Sequence, residues 1–320
     1  MKQILLITTC CFLCFGATAQ YNLENLKMEE SPMIKDLFTY KNLKLYPITC
    51  NDKFLKAHEG LGEYTTLSEA LETDQLWITE NGGNQGADQS QVNKLMVRNI
   101  SQDTVYLMAG EVVKGGKQDR VLAQDIIIPP NEEEVDLSVF CVEKGRWSYG
   151  DNEEGKFDGY SGMAGMSLQK VVDKESNQTA VWEEVENVTA SHDASTSTGT
   201  YTALKDSKEF VSELNEYQKH YAKAMEASNQ VVGAVIVTGD KIVGCEMFAT
   251  PDLFMRQFPN LISSYATDAI SAESTPSVDE AEVLAYLEEI LEDESKQEEV
   301  VSEKGKMFYN GSKKLRIKTY

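Results

Sequence analysis

The sequence predicts an α+β protein. Its antiparallel, β-rich N-terminal lobe, sandwich- or barrel-like, packs with a C-terminal lobe of helices and a β-hairpin. Three observations carry this reading. Short apolar segments separated by turn residues fill residues 42–143. A long amphipathic stretch over 206–227 puts Phe210, Leu214, Tyr217, Tyr221 and Met225 on one helical stripe. Two apolar runs, VVGAVIV and IVGCEMF, flank Gly239-Asp240 as a hairpin would. The lobes span 20–150 and 151–320 and read as one continuous domain.

The N-terminus comes first. Met1-Lys2, the apolar run ILLITTCCFLCFG and the ending Ala17-Thr18-Ala19 predict a cleaved secretory signal over 1–19. The small-residue triplet that would precede a lipidated cysteine is missing before Cys10, Cys11 and Cys14, so a periplasmic or secreted protein is expected over a lipoprotein. No later window reaches the apolar length of a transmembrane helix.

After an irregular 20–41, a strand is expected over 42–49. Thr66-x-x-Glu69 is a capping box for a helix near 67–73, and LWITE makes a strand at 76–80. NGGNQGADQSQ, at 81–91, is a loop on composition. Strands follow near 94–99 and 104–109. RVLAQDIII and EVDLSVFCVE then flank the turn PPNEE as a β-hairpin, with Val135, Leu137, Val139 and Cys141 on one inward face. Residues 161–190 have helical spacing in Val181, Trp182, Val185 and Val188. ASTSTGT, at 194–200, reads as a linker or a ligand-facing loop. Thr250-Pro251-Asp252 starts a helix, Pro259 begins another, and Ser277-x-x-Glu280 caps a third that turns Leu284, Leu287 and Leu291 inward. KKLRIKTY makes a terminal strand.

Charge excludes some functions. With 52 acidic and 30 basic residues the formal net charge is −22, and loss of Lys2 with the leader makes it −23. Such a surface repels phosphate backbones, so nucleic acid is not an expected partner. Once the leader is gone, Cys50, Cys141 and Cys245 remain, compatible with one disulfide plus a thiol or with three buried thiols. His58, His192 and His220 do not pair with cysteine at a metal-ligand spacing, so no metal site is expected. No GxSxG, HExxH, Walker-type or dinucleotide motif is present. Cofactor and oligomeric state are left open.

Two segments concentrate glycine and charge: GEVVKGGKQDR (110–120) and FCVEKGRW (140–147). Strand phase sends Glu111 and Glu143 inward at strand ends. Arg120 and Arg146 are able to clamp a carboxylate or phosphate in two-pronged fashion. Gly115-Gly116 allows backbone amides to approach an anion, and Trp147 offers a stacking face.

With the hairpin VVGAVIVTGDKIVGCEMF and the following PDLF and FPNLISSYATDAI, these segments resemble one bacterial family over about residues 40–320. It is the ADP-ribosylglycohydrolase- and rhodanese/phosphatase-associated protein domain, whose function is unassigned. The positions matching its pattern are Gly110, Glu111, Gly116, Gln118, Arg120, Cys141, Glu143, Gly145, Arg146 and Trp147. The family's name implies nucleotide-derived ligands. The secretion signal departs from that setting, and an intracellular nucleotide-repair role transfers poorly.

The leading expectation is an exported protein binding a small anionic, nucleotide- or sugar-like ligand through Lys114, Gly116, Gln118, Arg120, Arg146 and Trp147. The alternatives are a hydrolase of a phosphoester or glycosidic bond, with Glu111 and Glu143 as catalytic acid and base, and a structural or envelope-interaction module whose Glu and Arg residues form buried ion pairs.

Overall fold

Apolar alternation and local caps assemble into three sheets in the computed structural model, which describes residues 20–80, 92–131, 133–148 and 155–320. The expected leader at 1–19 and the Gly/Asn/Gln-rich loop at 81–91 lie outside the described residues. In chain order the first part of the molecule holds β1 (Leu26–Met28), α1 (Pro32–Leu37), β2 (Thr39–Tyr40), β3 (Leu43–Cys50), α2 (Asp52–Ala57), β4 (Thr65–Thr66) and α3 (Leu67–Glu72). There follow β5 (Leu76–Glu80), β6 (Lys94–Asn99), β7 (Val105–Leu107), β8 (Glu111–Gly115), β9 (Arg120–Leu122), β10 (Ile126–Ile128), β11 (Val135–Cys141) and β12 (Lys156–Met163). The rest comprises α4 (Met166–Lys174), α5 (Gln178–Ser191), α6 (Lys208–Glu226), β13 (Val231–Thr238), β14 (Lys241–Phe248), α7 (Pro251–Ile270), α8 (Glu280–Leu291), α9 (Gln297–Lys304), β15 (Gly305–Asn310) and β16 (Lys313–Thr319).

The β-rich N-terminal region closes into a barrel, in the order β11-β6-β5-β12-β8-β9, with β9 returning to β11. Ile78, Leu95, Val97, Val113, Leu122, Leu137, Val139 and Phe157 fill it. Alternate residues Val112, Val121, Phe140 and Val142 point out of the barrel and meet Leu168, Val172, Val181 and Val185 of α4 and α5. A second sheet runs β1-β3-β13-β14-β16-β15, with β2 on β3, so the early strand β3 lies against the late hairpin. Both faces of β13 are covered. Ala234 and Ile236 belong with α6 and α7, whereas Val235 and Val237 belong with α8 and α9. A small sheet, β10-β7-β4, links the two larger ones. Among the described residues no helix is long and apolar enough to cross a membrane.

Several local expectations hold to the residue. The Thr66–Glu69 capping box forms, with both reciprocal bonds present. Thr250 caps α7 by accepting from the Leu253 N–H at 3.1 Å. β13 and β14 pair around Gly239, which has φ +58°. The three cysteines are free and buried.

Others need correction. The 120–143 hairpin is real only as β9 against β11, because Ile126–Ile128 leaves the barrel to pair with β7. The helix expected over 161–190 begins late and is broken. Residues 156–163 form the barrel strand β12, and Asn177 caps α5 anew after α4 ends. Pro259 lies inside α7. It is tolerated because that part of the helix surface, with Met255 43% exposed, faces water, which can bond the carbonyl left free. Asp279, not Ser277, caps α8, and Leu284 is exposed while Val283 and Ile290 take the inward positions.

Candidate functional site

The two glycine- and charge-rich segments meet at one end of the barrel. Gly115 and Gly116 adopt φ +138° and +49°, so the chain turns there in a way a side chain would resist. A Cβ on Gly116 would lie 2.4 Å from the Phe157 ring and 2.7 Å from Glu80 Oε1. These glycines serve close packing of loop against strand. Arg120 pairs in register with Val113, an interior residue, so its side chain enters the barrel and is wholly buried. Its Nη1 donates to the Gln118 carbonyl at 2.6 Å, and its Nη2 lies 3.4 Å from Glu80 Oε1. The same Glu80 oxygen accepts from the Lys117 N–H at 2.9 Å. Arg120 therefore plugs the barrel end.

Arg146 clasps the outside of that plug. Its Nε donates to Glu143 Oε2 at 2.8 Å, its Nη1 to the carbonyls of Gly116 and Ser148 at 2.7 and 2.9 Å, and its Nη2 to Asp119 Oδ1 at 3.2 Å. Gln118 Nε2 donates to the Glu143 carbonyl at 2.6 Å. Asp119 is the hub. One oxygen takes the Gly115 N–H and Arg146, and the other takes the hydroxyls of Thr200 and Thr202 at 2.7 and 2.8 Å. A guanidinium with its donors on protein carbonyls and carboxylates is a clasp, not an open anion clamp.

The register separates the expected acid and base. Val112 faces Val121 on β9, and Leu122 faces Val139 on β11, so Glu111 stands level with Val139. Glu143 lies four residues beyond Val139, past the end of β11 and beside the Gly115–Arg146 corner. Glu111 is fully buried under Tyr160, whose hydroxyl donates to Oε1 at 3.2 Å, and it accepts the Met108 N–H at 2.7 Å. Burial, outweighing those two bonds, pushes its carboxyl up to about 8. The two carboxyls sit in separate surroundings, Glu111 under Tyr160 and Glu143 in the clasp with Arg146. Lys114 is exposed on β8, and Trp147 is 52% exposed with Lys117 Nζ 5.3 Å from its ring centroid.

The clasp holds an open pocket beside it. Asp119 ties the corner to the Ser/Thr-rich loop through Thr200 and Thr202. The Gly145 N–H donates to the Thr198 carbonyl at 2.7 Å, and the Tyr201 N–H donates to the Val142 carbonyl at 2.9 Å. A Cβ on Gly145 would lie 2.9 Å from Thr198 Cα, so only glycine lets the two loops close to this distance. The pocket, about 430 Å³, is lined by Lys144, Gly145, Trp182 and Glu186 with the loop Ser195–Gly199. Lys144 Nζ lies 5.6 Å from the Trp182 ring centroid. The indole N–H of Trp182 is buried and has no hydrogen-bond partner among the described residues.

Sequence reasoning missed Asp119, Glu80, Lys144 and Trp182. Asp119 and Lys144 stood inside the two segments already singled out, and an unmatched carboxylate beside Arg120 was a usable signal. Trp182 read only as one residue of a helical face. Its role depends on the loop that folds back over α5.

The family model for the ARG and Rhodanese-Phosphatase-superfamily-associated Protein domain (ARPP-1) matches residues 32–316, and the chain belongs to that family. Comparison with curated proteins and with solved structures gives no match.

Proposed function

We propose that this family member is an exported binding protein for a small anionic molecule carrying a flat ring, nucleotide- or sugar-like. Its ligand occupies the pocket between Lys144, Trp182 and the Ser195–Gly199 loop. The observation that carries this reading is the Lys144–Trp182 pair on the wall of the 430 Å³ pocket, where a cation and an aromatic face lie together without being consumed by the clasp. The ammonium attracts the anionic group, the indole face stacks on the ring, and the loop hydroxyls take its polar edge. Export to the periplasm or beyond is part of the proposal and rests on the Met1-Lys2 start and the apolar run that follows.

The role of the 110–120 and 143–147 segments changes accordingly. Arg120, Gln118 and Arg146 act as the frame that fixes the pocket's rim, and Gly145 and Lys144 form the rim itself. Isothermal titration of the mature protein with ADP-ribose, AMP and ribose 5-phosphate tests this. At least one probe should bind saturably, and Lys144→Ala and Trp182→Ala should each weaken it about tenfold, or about 1.4 kcal/mol. Equal affinity of every probe for the wild type and the Lys144→Ala/Trp182→Ala double variant removes the reading.

A further inference from the structure

A second cavity, about 780 Å³, lies on the opposite face of α5 from the first, between α4, α5, the β13–β14 turn and the C-terminal end of α7. Its charged walls are Glu184, Asp240, Asp268 and Glu273 with Lys170 and Lys241. Four carboxylates against two ammonium groups leave two net negative charges. None of these six residues forms a salt bridge among the described residues. Glu184 accepts from Asn187 Nδ2 at 3.3 Å, and Asp268 accepts the N–H and the hydroxyl of Ser167 at 3.0 and 2.9 Å. Thr238, 8% exposed, also lines the cavity, and its hydroxyl is buried without a hydrogen-bond partner among the described residues.

The spacing of the carboxylates selects the kind of cation. No group of three His, Cys, Asp or Glu among the described residues is placed to hold a metal ion. A compact ion needs converging oxygens within about 2.6 Å. Carboxylates spread around a large cleft instead suit several amines spaced along a chain, each meeting a different wall. The excess of two negative charges matches a ligand carrying two or three positive charges. The unpartnered Thr238 hydroxyl is an acceptor suited to an ammonium N–H.

We infer that this cleft is a second ligand site, separate from the Lys144–Trp182 pocket, and that it takes a multivalent organic amine of the polyamine type. Glu184, Asp240, Asp268 and Glu273 bind the separate ammonium groups, while Lys170 and Lys241 limit the total charge that the cleft accepts.

The experiment is calorimetric titration of the mature protein with spermidine, with butylamine and magnesium chloride as single-amine and metal probes. Asp240 and Glu273 are exposed, so the double variant Asp240→Asn/Glu273→Gln tests the cleft without disturbing the core. Its control is Glu282→Gln/Glu288→Gln, an equal change of charge on exposed positions of α8. The expected result is saturable spermidine binding that the cleft variant weakens about fivefold or more and the α8 variant leaves unchanged. Trp182→Ala should also leave it unchanged, which separates this site from the other pocket. Equal losses in the two double variants would mean attraction to the acidic surface as a whole and would overturn the inference. Butylamine or magnesium binding as tightly as spermidine would overturn it too.

Discussion

Glu111 and Glu143 sit on the same barrel and look alike in sequence, yet they live in opposite electrostatic environments. Glu143, 4% exposed, touches a guanidinium and an amide N–H. Glu111, fully buried, touches a phenol and an amide N–H and forms no ion pair among the described residues. Burial raises the carboxyl of Glu111 to about 8, so it is mostly protonated at neutral pH. Arg146 supplies the compensation that Glu111 lacks. The lesson is that burial alone does not decide what a carboxylate does; the nearest cation does.

The harshest way to test this contrast is to remove the cation. Arg146→Met strands Glu143 and Asp119, both almost entirely buried, and opens the corner that holds the Ser/Thr-rich loop. Urea denaturation should register a loss of about 3 kcal/mol. A loss below about 1 kcal/mol would mean that the clasp is not what fixes this end of the barrel.

The carboxylates themselves sharpen the comparison. Glu143→Gln should destabilise the protein by about 2 kcal/mol at pH 7, since it leaves Arg146 without its closest charge. Glu111→Gln should cost less than about 1 kcal/mol, because a mostly protonated acid is replaced by a neutral group of the same shape. The pH dependence separates them further. The folded carboxyl of Glu111 titrates near 8, above its value in the unfolded chain, so the folded state holds the proton more tightly between those values. Its contribution is therefore fully present at low pH and is lost as pH rises through about 8. Glu111→Gln should flatten the fall in stability between about pH 5 and 8. An unchanged slope in that variant would break the assignment.

The smallest effect belongs to the most conspicuous residue of the second segment. Trp147 is 52% exposed, with Lys117 Nζ 5.3 Å from its ring centroid. Trp147→Ala should shift stability by no more than about 0.5 kcal/mol, read as the urea midpoint. A larger shift would show that the corner extends further outward than its hydrogen bonds do.

Much of the architecture was legible because its signals are short-range. The Thr66–Glu69 box needs only four consecutive residues, and the hairpin at Gly239 needs two apolar runs and a turn. The strands at 76–80 and 94–99 follow from alternation alone. The errors fell where the outcome depends on a distant partner. Ile126–Ile128 looks like the continuation of β9, but β7 offers it a better edge. Asp279 competes with Ser277 for the same helix start and stands two residues nearer the first turn. For the corner, the sequence marked Arg120 as a clamp, and only its pairing with Val113 turned it into the barrel. The sequence could not reveal that Glu80, forty residues earlier and in another strand, would be waiting there.

The sequence by itself determined the α+β class, most of the local elements, the family and the two segments that come together at the barrel end. Those depend on side-chain periodicity, turn chemistry and residue patterns carried within a few positions. Only the tertiary structure decided that β9 returns to β11 to close the barrel, that Arg146 is spent on protein acceptors, and that Glu111 and Glu143 lie in separate surroundings. The physical reason is common to all three. A hydrogen-bond donor is free or taken, and a carboxyl charged or neutral, according to which groups arrive through space, and chain closure over tens of residues sets those arrivals.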